Sequence, residues 1–264
     1  MGEHVRLYAS AYAGYDAREQ VRRQTYGDDL GQSGWLRTDE LAQFAEWLGL
    51  HAGSRLLDIG CGAGGPALRL AETTGASVVG VDILPEAVAA ATQLAQERRV
   101  GDRASFVQVD AGSRLPFEDA SFDAALSIDA ICHVPERLKM LEELHRVLAV
   151  GGRVVFTDPT IVTGLVTSDE IAVRSSIGVY VYSTEAANEH LLAEAGFELL
   201  RREDRTESME VIAGRWHDAR LEFRDALVAD EGEETFEGVQ RFLSTCHLLA
   251  RERRLSRYAY LARR

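Results

Sequence analysis

Cysteine is scarce and scattered: Cys61, Cys132 and Cys246 are the only three in 264 residues. An odd, widely spaced set gives neither a disulfide framework nor a CxxC metal pair. Basic charge is also short, with 29 Lys plus Arg against 42 Asp plus Glu and a formal net charge of −13. That balance argues against nucleic acid and against an anionic membrane surface as partners, and its plain meaning is solubility. No apolar run approaches the ~18 residues of a membrane span. The opening MGEHVRLYAS lacks the basic-then-apolar pattern of a signal peptide. The expectation is therefore a soluble, cytoplasmic protein with no membrane and no nucleic-acid partner. There is no repeat, no low-complexity tract, and no H-x-x-x-H pair or carboxylate cluster of the kind that holds a metal, so no metal is expected.

What is present is an alternation of short β-rich runs with helical stretches. RLLDI (55–59), SVVGVD (77–82), ASFVQVD (104–110), FDAALSI (122–128) and RVVFTD (153–158) read as strands. Between them, GPALRLAETTG (65–75), PEAVAAATQLAQERR (85–99) and PERLKMLEELHRVLA (135–149) read as helices, with Pro66 suited to a first turn. Apolar strands separated by helices predict a parallel sheet covered on both faces. Residues 1–50 look helical, including DELAQFAEWLGL (39–50). The stretch 159–254 reads as a loop, the helix TEAANEHLLAEAG, a strand near FELLRRED and two further helices; RLSRYAYLARR closes the chain as a last strand.

The strand 55–59 runs into GCGAGG, a G-x-G-x-x-G turn with Gly60, Gly62 and Gly65 in place. Alone, that spacing says only that a strand turns tightly into a helix and that a ligand approaches bare backbone. Asp82 ends the next strand, where an acid would hold a ribose diol. A dinucleotide site would give both features. Asp58, two residues before the first glycine, distinguishes the ligands: a pyrophosphate would meet a carboxylate at short range, whereas a cationic amino group would gain from it.

With those residues in view, the chain resembles the class I S-adenosylmethionine-dependent methyltransferases. LLDIGCGAGG, VVGVD, FVQVDAGSRLPFEDASFDAALSIDAICHV and LEELHRVLAVGGRVVFTDP look like that family's successive motifs over roughly residues 55–160. The nearest subset is the small-molecule group that includes sarcosine/dimethylglycine-type, phosphoethanolamine-type and natural-product enzymes of secondary metabolism. The resemblance implies an α/β, Rossmann-like, mainly parallel seven-stranded sheet with helices on both faces. It implies an N-terminal helical segment (1–50) closing over the cofactor, and a methyltransferase domain (51–264) with a helical cap inserted at about 160–183 and 207–253. It implies S-adenosylmethionine as cofactor, S-adenosylhomocysteine as product, a small-molecule acceptor, and a monomer or homodimer. Position by position, Gly60, Cys61 and Gly62 would line the methionine portion, with Asp58 near its amino group. Asp82 would take the ribose hydroxyls and Ile83 would pack on the adenine. Asp110 would accept from the adenine amine and Ala111 would donate its amide. Ser127 and His133 would close the site beside the methyl group. Three acids following successive strands at one sheet edge favour a ligand over mere helix capping.

Methyl transfer needs a lone pair held behind the methyl carbon and water kept out. An acceptor that must lose a proton is served by a side chain titrating near neutrality. His133, in DAICHVPE, is the leading candidate, set equally against a helix-capping role; Asp129 is next, as a group orienting an ammonium or bonding the local turn. Asp158 faces the same edge, against a turn-forming Asp-Pro alternative. Tyr12, Trp35 and Tyr180 are candidates for acceptor contact, against ordinary packing. His217 and His247, on helices, read as surface or core, and a Cys132–His133 nucleophile is rejected because sequence neighbours on a turn rarely converge. The acceptor is read as an amine nitrogen first, carbon second and oxygen third. Two rival classes remain: a nucleotide-dependent oxidoreductase, and a binding protein that keeps the fold without catalysis.

Overall fold

Leu56 and Leu57 are chain neighbours, and both are fully buried. They point to opposite faces of strand β1 (Arg55–Ile59): Leu56 joins one apolar layer and Leu57 the other. A strand read as continuously apolar is thus one covered on both sides. The computed structural model describes residues 18–264. Its sheet runs in the order β3 (Ala104–Gln108), β2 (Ser77–Asp82), β1, β4 (Phe122–Ser127), β5 (Leu148–Val162), β8 (Leu255–Arg263), β7 (Glu198–Asp204). The first five strands are parallel, β8 lies antiparallel between β5 and β7, and the two-residue β6 (Ser183–Thr184) pairs with the far end of β5. This is the mainly parallel Rossmann-like sheet expected. Strand order reverses between β1 and β4, which opens a crevice at their carboxyl ends.

The described residues carry ten helices, α1 (Glu19–Tyr26), α2 (Thr38–Leu48), α3 (Gly65–Thr74), α4 (Pro85–Glu97), α5 (Arg137–Val147), α6 (Ser168–Arg174), α7 (Ala187–Glu194), α8 (Thr206–Glu222), α9 (Arg224–Glu231) and α10 (Glu233–Arg251). Pro66 lies in the first turn of α3 and Pro85 opens α4, where a missing N–H costs no helical bond. One apolar layer packs α5 and α7 against the sheet; the other packs α2 and α3, through Leu41, Phe44, Leu70 and Ala71. A third cluster, built on Trp35, Ile212, Phe242 and Leu243, joins α8 and α10 above the sheet's edge.

Four local readings need correction. The fifth strand does not end at Asp158: it continues to Val162 past a register shift against β8 between Asp158 and Ile161, the irregularity that Pro159 requires because it cannot donate to the ladder. The third strand stops at Gln108, so Asp110 sits in the turn beyond it. The region after β5 is not a loop throughout, since α6 forms behind a capping box in which Thr167 and Glu170 bond reciprocally. The two helices read after residue 206 are three, broken at Phe223 and at Gly232, whose φ is +83°. Among the described residues no helix is long and apolar enough to cross a membrane.

Candidate active site

At the carboxyl ends of β1 and β2 the chain bends through glycine. Gly60 (φ +68°) and Gly62 (φ +54°) occupy the left-handed region, and a Cβ on Gly60 would stand 2.4 Å from that of Ala130. No larger residue fits there without moving the loop after β4. Asp82 ties the bend to the next helix: its Oδ2 accepts from the Gly62 N–H at 2.9 Å and its Oδ1 from the Leu84 N–H at 3.0 Å. Asp58 is buried beside it. Desolvation and then the Asp82 charge push the Asp58 carboxyl up to about 8 from an ordinary 3.8. Burial also raises Asp82, against its backbone hydrogen bonds. The Cys61 thiol is raised well above its usual range by burial and both acids, which makes it a packing group. Asp110 accepts from the Gly112 N–H at 2.8 Å, Ala111 packs partly buried on the sheet layer, and Ile83 is 58% exposed. The Ser127 hydroxyl is fully buried and finds no hydrogen-bond partner among the described residues.

Next to this edge lies a cavity of about 160 Å³, walled by Trp35, Trp216, Tyr180 and Phe242, with Asp129 and His133 on it. Asp129, just past β4, is held at φ +53°. Its carboxylate accepts from the Trp35 N–H, the Thr157 hydroxyl and Arg257 Nε, each at 2.7 Å. Arg257 reaches on to Glu40 at 3.0 Å, and Glu40 accepts from the Ser208 hydroxyl at 2.8 Å. One buried network thus bolts together α2, the β4 turn, β8 and α8. Asp129 is a fastener: three protein donors and the Arg257 charge engage its carboxylate, which weakens the ammonium-orienting role read from the sequence in favour of the local bonding one.

His133 ends a 3-10 turn (Ile131–His133). Its Nδ1 lies 2.7 Å from the Val179 carbonyl. A carbonyl only accepts, so Nδ1 carries the proton and Nε2 the lone pair. Burial, then the charge of Arg174, lower its pKa against the Val179 bond, which keeps the imidazole neutral at pH 7. Its ring stands 4.5 Å from that of Tyr180. Cys132 is buried and its thiol raised, with Sγ directed at the Asp129 carbonyl.

The structure thus brings Asp129, His133, Trp35 and Tyr180 to one cavity. It does not bring Asp158 there: that carboxylate is fully buried in an ion pair with Arg137 at 2.8 Å and takes an Asn188 amide at 2.9 Å. The acceptor contact read at Asp158 is therefore corrected; its neighbour Pro159 is on the wall. Tyr12 lies outside the described residues. His217 and His247 bond Asp218 and the Glu210 carbonyl, away from the cavity. Arg174, Trp216, Phe242 and Arg257 carry no local sequence motif, although the T-x-x-E box at Thr167 signalled the helix that ends at Arg174.

The N-terminal region splits in two. α2 packs on the sheet face, while the preceding loop reaches the strand ends. There the Leu30 carbonyl stands so close that a Cβ on Gly65 would meet it at 1.8 Å.

A protein-family model described as a methyltransferase domain matches residues 57–156. Methyltransferase GfsG of Streptomyces halstedii is 34% identical over 213 residues, covering 78% of this chain and 73% of that protein. The 27-O-demethylrifamycin SV methyltransferase of Amycolatopsis mediterranei is 36% identical over 206 residues, covering 72% of this chain and 74% of its own. The solved structure of the cyclopropane synthase MmaA2 from Mycobacterium tuberculosis aligns with a TM-score of 0.82 at 20% identity, over 97% of this chain and 98% of that one, and shows the fold. The residues at the glycine edge fit the donor such enzymes use: a carboxyl buried without a cation and a Ser127 hydroxyl without a partner among the described residues, and a bend closed to any Cβ, suit an ammonium-bearing amino-acid tail. The chain belongs to the S-adenosylmethionine-dependent small-molecule methyltransferases.

Proposed function

We propose that this enzyme methylates a hydroxyl oxygen on an apolar, natural-product-like acceptor held in the capped cavity, with His133 as the base. The observation that carries this reading is the state of His133: a neutral imidazole on the cavity wall, its Nδ1–H committed to Val179, so that Nε2 is the basic nitrogen. A hydroxyl attacking the methyl carbon must shed its proton, and a fixed neutral imidazole takes it. The donor's sulfonium supplies the leaving group. Asp58 takes the donor's amino group, Asp82 the ribose hydroxyls and Asp110 with Ala111 the adenine, while Ile83 covers the ring. Ser127 and the Gly60–Gly62 bend shape the remaining wall.

The preference for nitrogen read from the sequence gives way to oxygen on charge. Asp129 is spent on Arg257, Glu231 is paired with Arg18, and Arg174 puts a positive charge on the wall. An ammonium acceptor would find an unpaired cation there, and the carboxylates on the wall, Asp129 and Glu231, already paired with arginines. The relative whose name gives 27-O-demethylrifamycin SV as the molecule it methylates supports an oxygen acceptor too.

The test offers methyl-labelled donor and matched pairs of apolar alcohols, phenols and amines, and identifies the product by mass spectrometry. Ether products are expected. His133→Gln should cut kcat by about 10²–10⁴ while S-adenosylhomocysteine binding stays within about twofold. Exclusively N-methylated products, or a His133→Gln enzyme of undiminished kcat, would overturn the reading.

A further inference from the structure

Among the described residues four arginines line the cavity, and three of them are paired: Arg18 with Glu231, Arg22 with Asp29, and Arg220 with Glu231 and Gln240. The fourth is different. Arg174, the last residue of α6, is fully buried, and its Nε, Nη1 and Nη2 all lack a hydrogen-bond acceptor among the described residues. Its guanidinium carbon stands 4.2 Å from the Tyr180 ring centroid and 5.0 Å from that of Phe242. Among the described residues, the ionisable groups that bear most on it are the thiols of Cys132 and Cys246 and the phenols of Tyr180 and Tyr182, with burial raising both thiols and the Tyr182 phenol, and it acts in turn on the His133 imidazole. Ring faces attract a guanidinium but do not accept its N–H groups in line. Arginine stays protonated in any protein environment. The fold therefore keeps a whole guanidinium fork, buried and charged, on the wall of a cavity built for another molecule. A permanent charge so placed is costly unless something completes it.

We infer that Arg174 is the acceptor-recognition residue for a planar anionic oxygen group, a carboxylate, carried on the apolar acceptor. This deepens the oxygen-acceptor reading and rests on it for the site. The fork geometry matches two oxygens side by side and leaves the flanking rings to grip the apolar body. The location is consistent: Tyr180 touches both the guanidinium and the His133 ring, so a group bound to Arg174 lies one aromatic ring from the imidazole. The charge pattern of the enzyme is completed as well. At the donor edge the buried Asp58 awaits a cation; at the acceptor wall the buried Arg174 awaits an anion.

The test measures binding rather than turnover, so it can fail while the oxygen-transfer reading stands, and the reverse. The full chain saturated with S-adenosylhomocysteine is titrated calorimetrically with 2-naphthoate and with its neutral isostere 2-naphthamide. Naphthoate is expected to bind at least about tenfold more tightly, the lower range for charge-assisted hydrogen bonds. Arg174→Gln should bring the two within about twofold of each other, and Arg174→Lys, which keeps the charge but not the fork, should retain part of the preference. S-adenosylhomocysteine affinity, unchanged in all three proteins, reports that the fold is intact. Where Arg174→Gln loses that affinity, wild type and Arg174→Lys decide the matter by the size of the preference. Equal affinity for the two probes, binding of neither, or a preference that survives in Arg174→Gln would overturn the assignment and leave Arg174 as a bolt between α6 and α10.

Discussion

At the donor edge the polar groups sit on, or within a few residues of, the ends of four adjacent strands, and backbone N–H groups lock Asp82 to the glycine bend. At the acceptor cavity the wall is gathered from separate segments between residues 18 and 243, and side chains hold it together. A strand end is positioned by the register of its neighbours. A wall carried on separate helices is only as fixed as the contacts that tie those helices down. The charges differ in the same way. Among the described residues Asp58 and Asp82 are acids without a basic partner, whereas Asp129 and Arg257 belong to a buried ion-pair network and Arg174 stands outside any. Damage to the network should therefore loosen the acceptor cavity first and the donor edge last.

The largest break follows from Arg257. It is wholly buried between Asp129 and Glu40. Arg257→Met would leave Asp129 buried without its cation and Glu40 with only the more distant Arg205 at 3.9 Å, and about 3–5 kcal/mol of unfolding free energy should be lost. Urea denaturation measures this directly. Turnover with any acceptor should fall along with it, while the folded fraction still binds S-adenosylhomocysteine, because no donor-edge residue touches Arg257. A stability loss below about 1 kcal/mol would show the network to be a bystander.

The next effect sharpens the donor edge. Asp58 titrates near 8 when no cation is beside it. Its raised value means the proton is held more tightly folded than unfolded, so its contribution to the stability of the ligand-free protein is fully present below about pH 4 and is lost as pH rises towards 8. For a cationic ligand the sign is reversed, because the ammonium needs the carboxylate. Between pH 6 and pH 8 the ionised fraction of Asp58 grows about fiftyfold, and the affinity for S-adenosylhomocysteine should rise by up to that factor. In Asp58→Asn the profile should be flat and the affinity low. Calorimetry in buffers of different ionisation enthalpy should also register proton release on binding at pH 7. A pH-independent affinity in the wild type would move the amino group away from Asp58.

The donor edge could be read from the sequence because its parts are short-range: a strand, two left-handed glycines and an acid at the next strand's end lie within 30 residues, and one turn geometry demands them all. The alternation of strands and helices gave the parallel sheet for the same reason. The acceptor cavity was legible only in fragments. His133 and Trp35 were found by place, but the partners that define them are Val179 and Asp129, 46 and 94 residues away. Asp129 read as an ammonium ligand because its partner Arg257 lies 128 residues on, in a strand with no pattern that marks a buried cation. Asp158 read as a pocket residue because Arg137 and Asn188 were not visible as its partners. Long-range ion pairing, which leaves no periodic trace, is what separates the two halves.

The smallest effect tests whether the acceptor wall can be loosened without touching a wall residue. Thr167 caps α6, accepting from the Glu170 N–H at 3.2 Å, and Glu170 in turn holds Arg254 at 2.7 Å. Arg174 lies at the other end of this seven-residue helix. Thr167→Ala removes the cap and should cost about 1 kcal/mol, the usual value for an N-cap. A helix so short has no interior to spare, so the loss should appear as local opening rather than global unfolding. Hydrogen exchange should accelerate over residues 168–174 and at the facing turns of α10, with protection at β1 and β2 unchanged. Donor affinity should be unaltered, and the wild-type preference for naphthoate over naphthamide should shrink but survive, since the fork is intact and only its placement is relaxed. A uniform loss of protection across the sheet would mean that α6 is part of the same cooperative unit as the donor edge, and the contrast between the two ends would not hold.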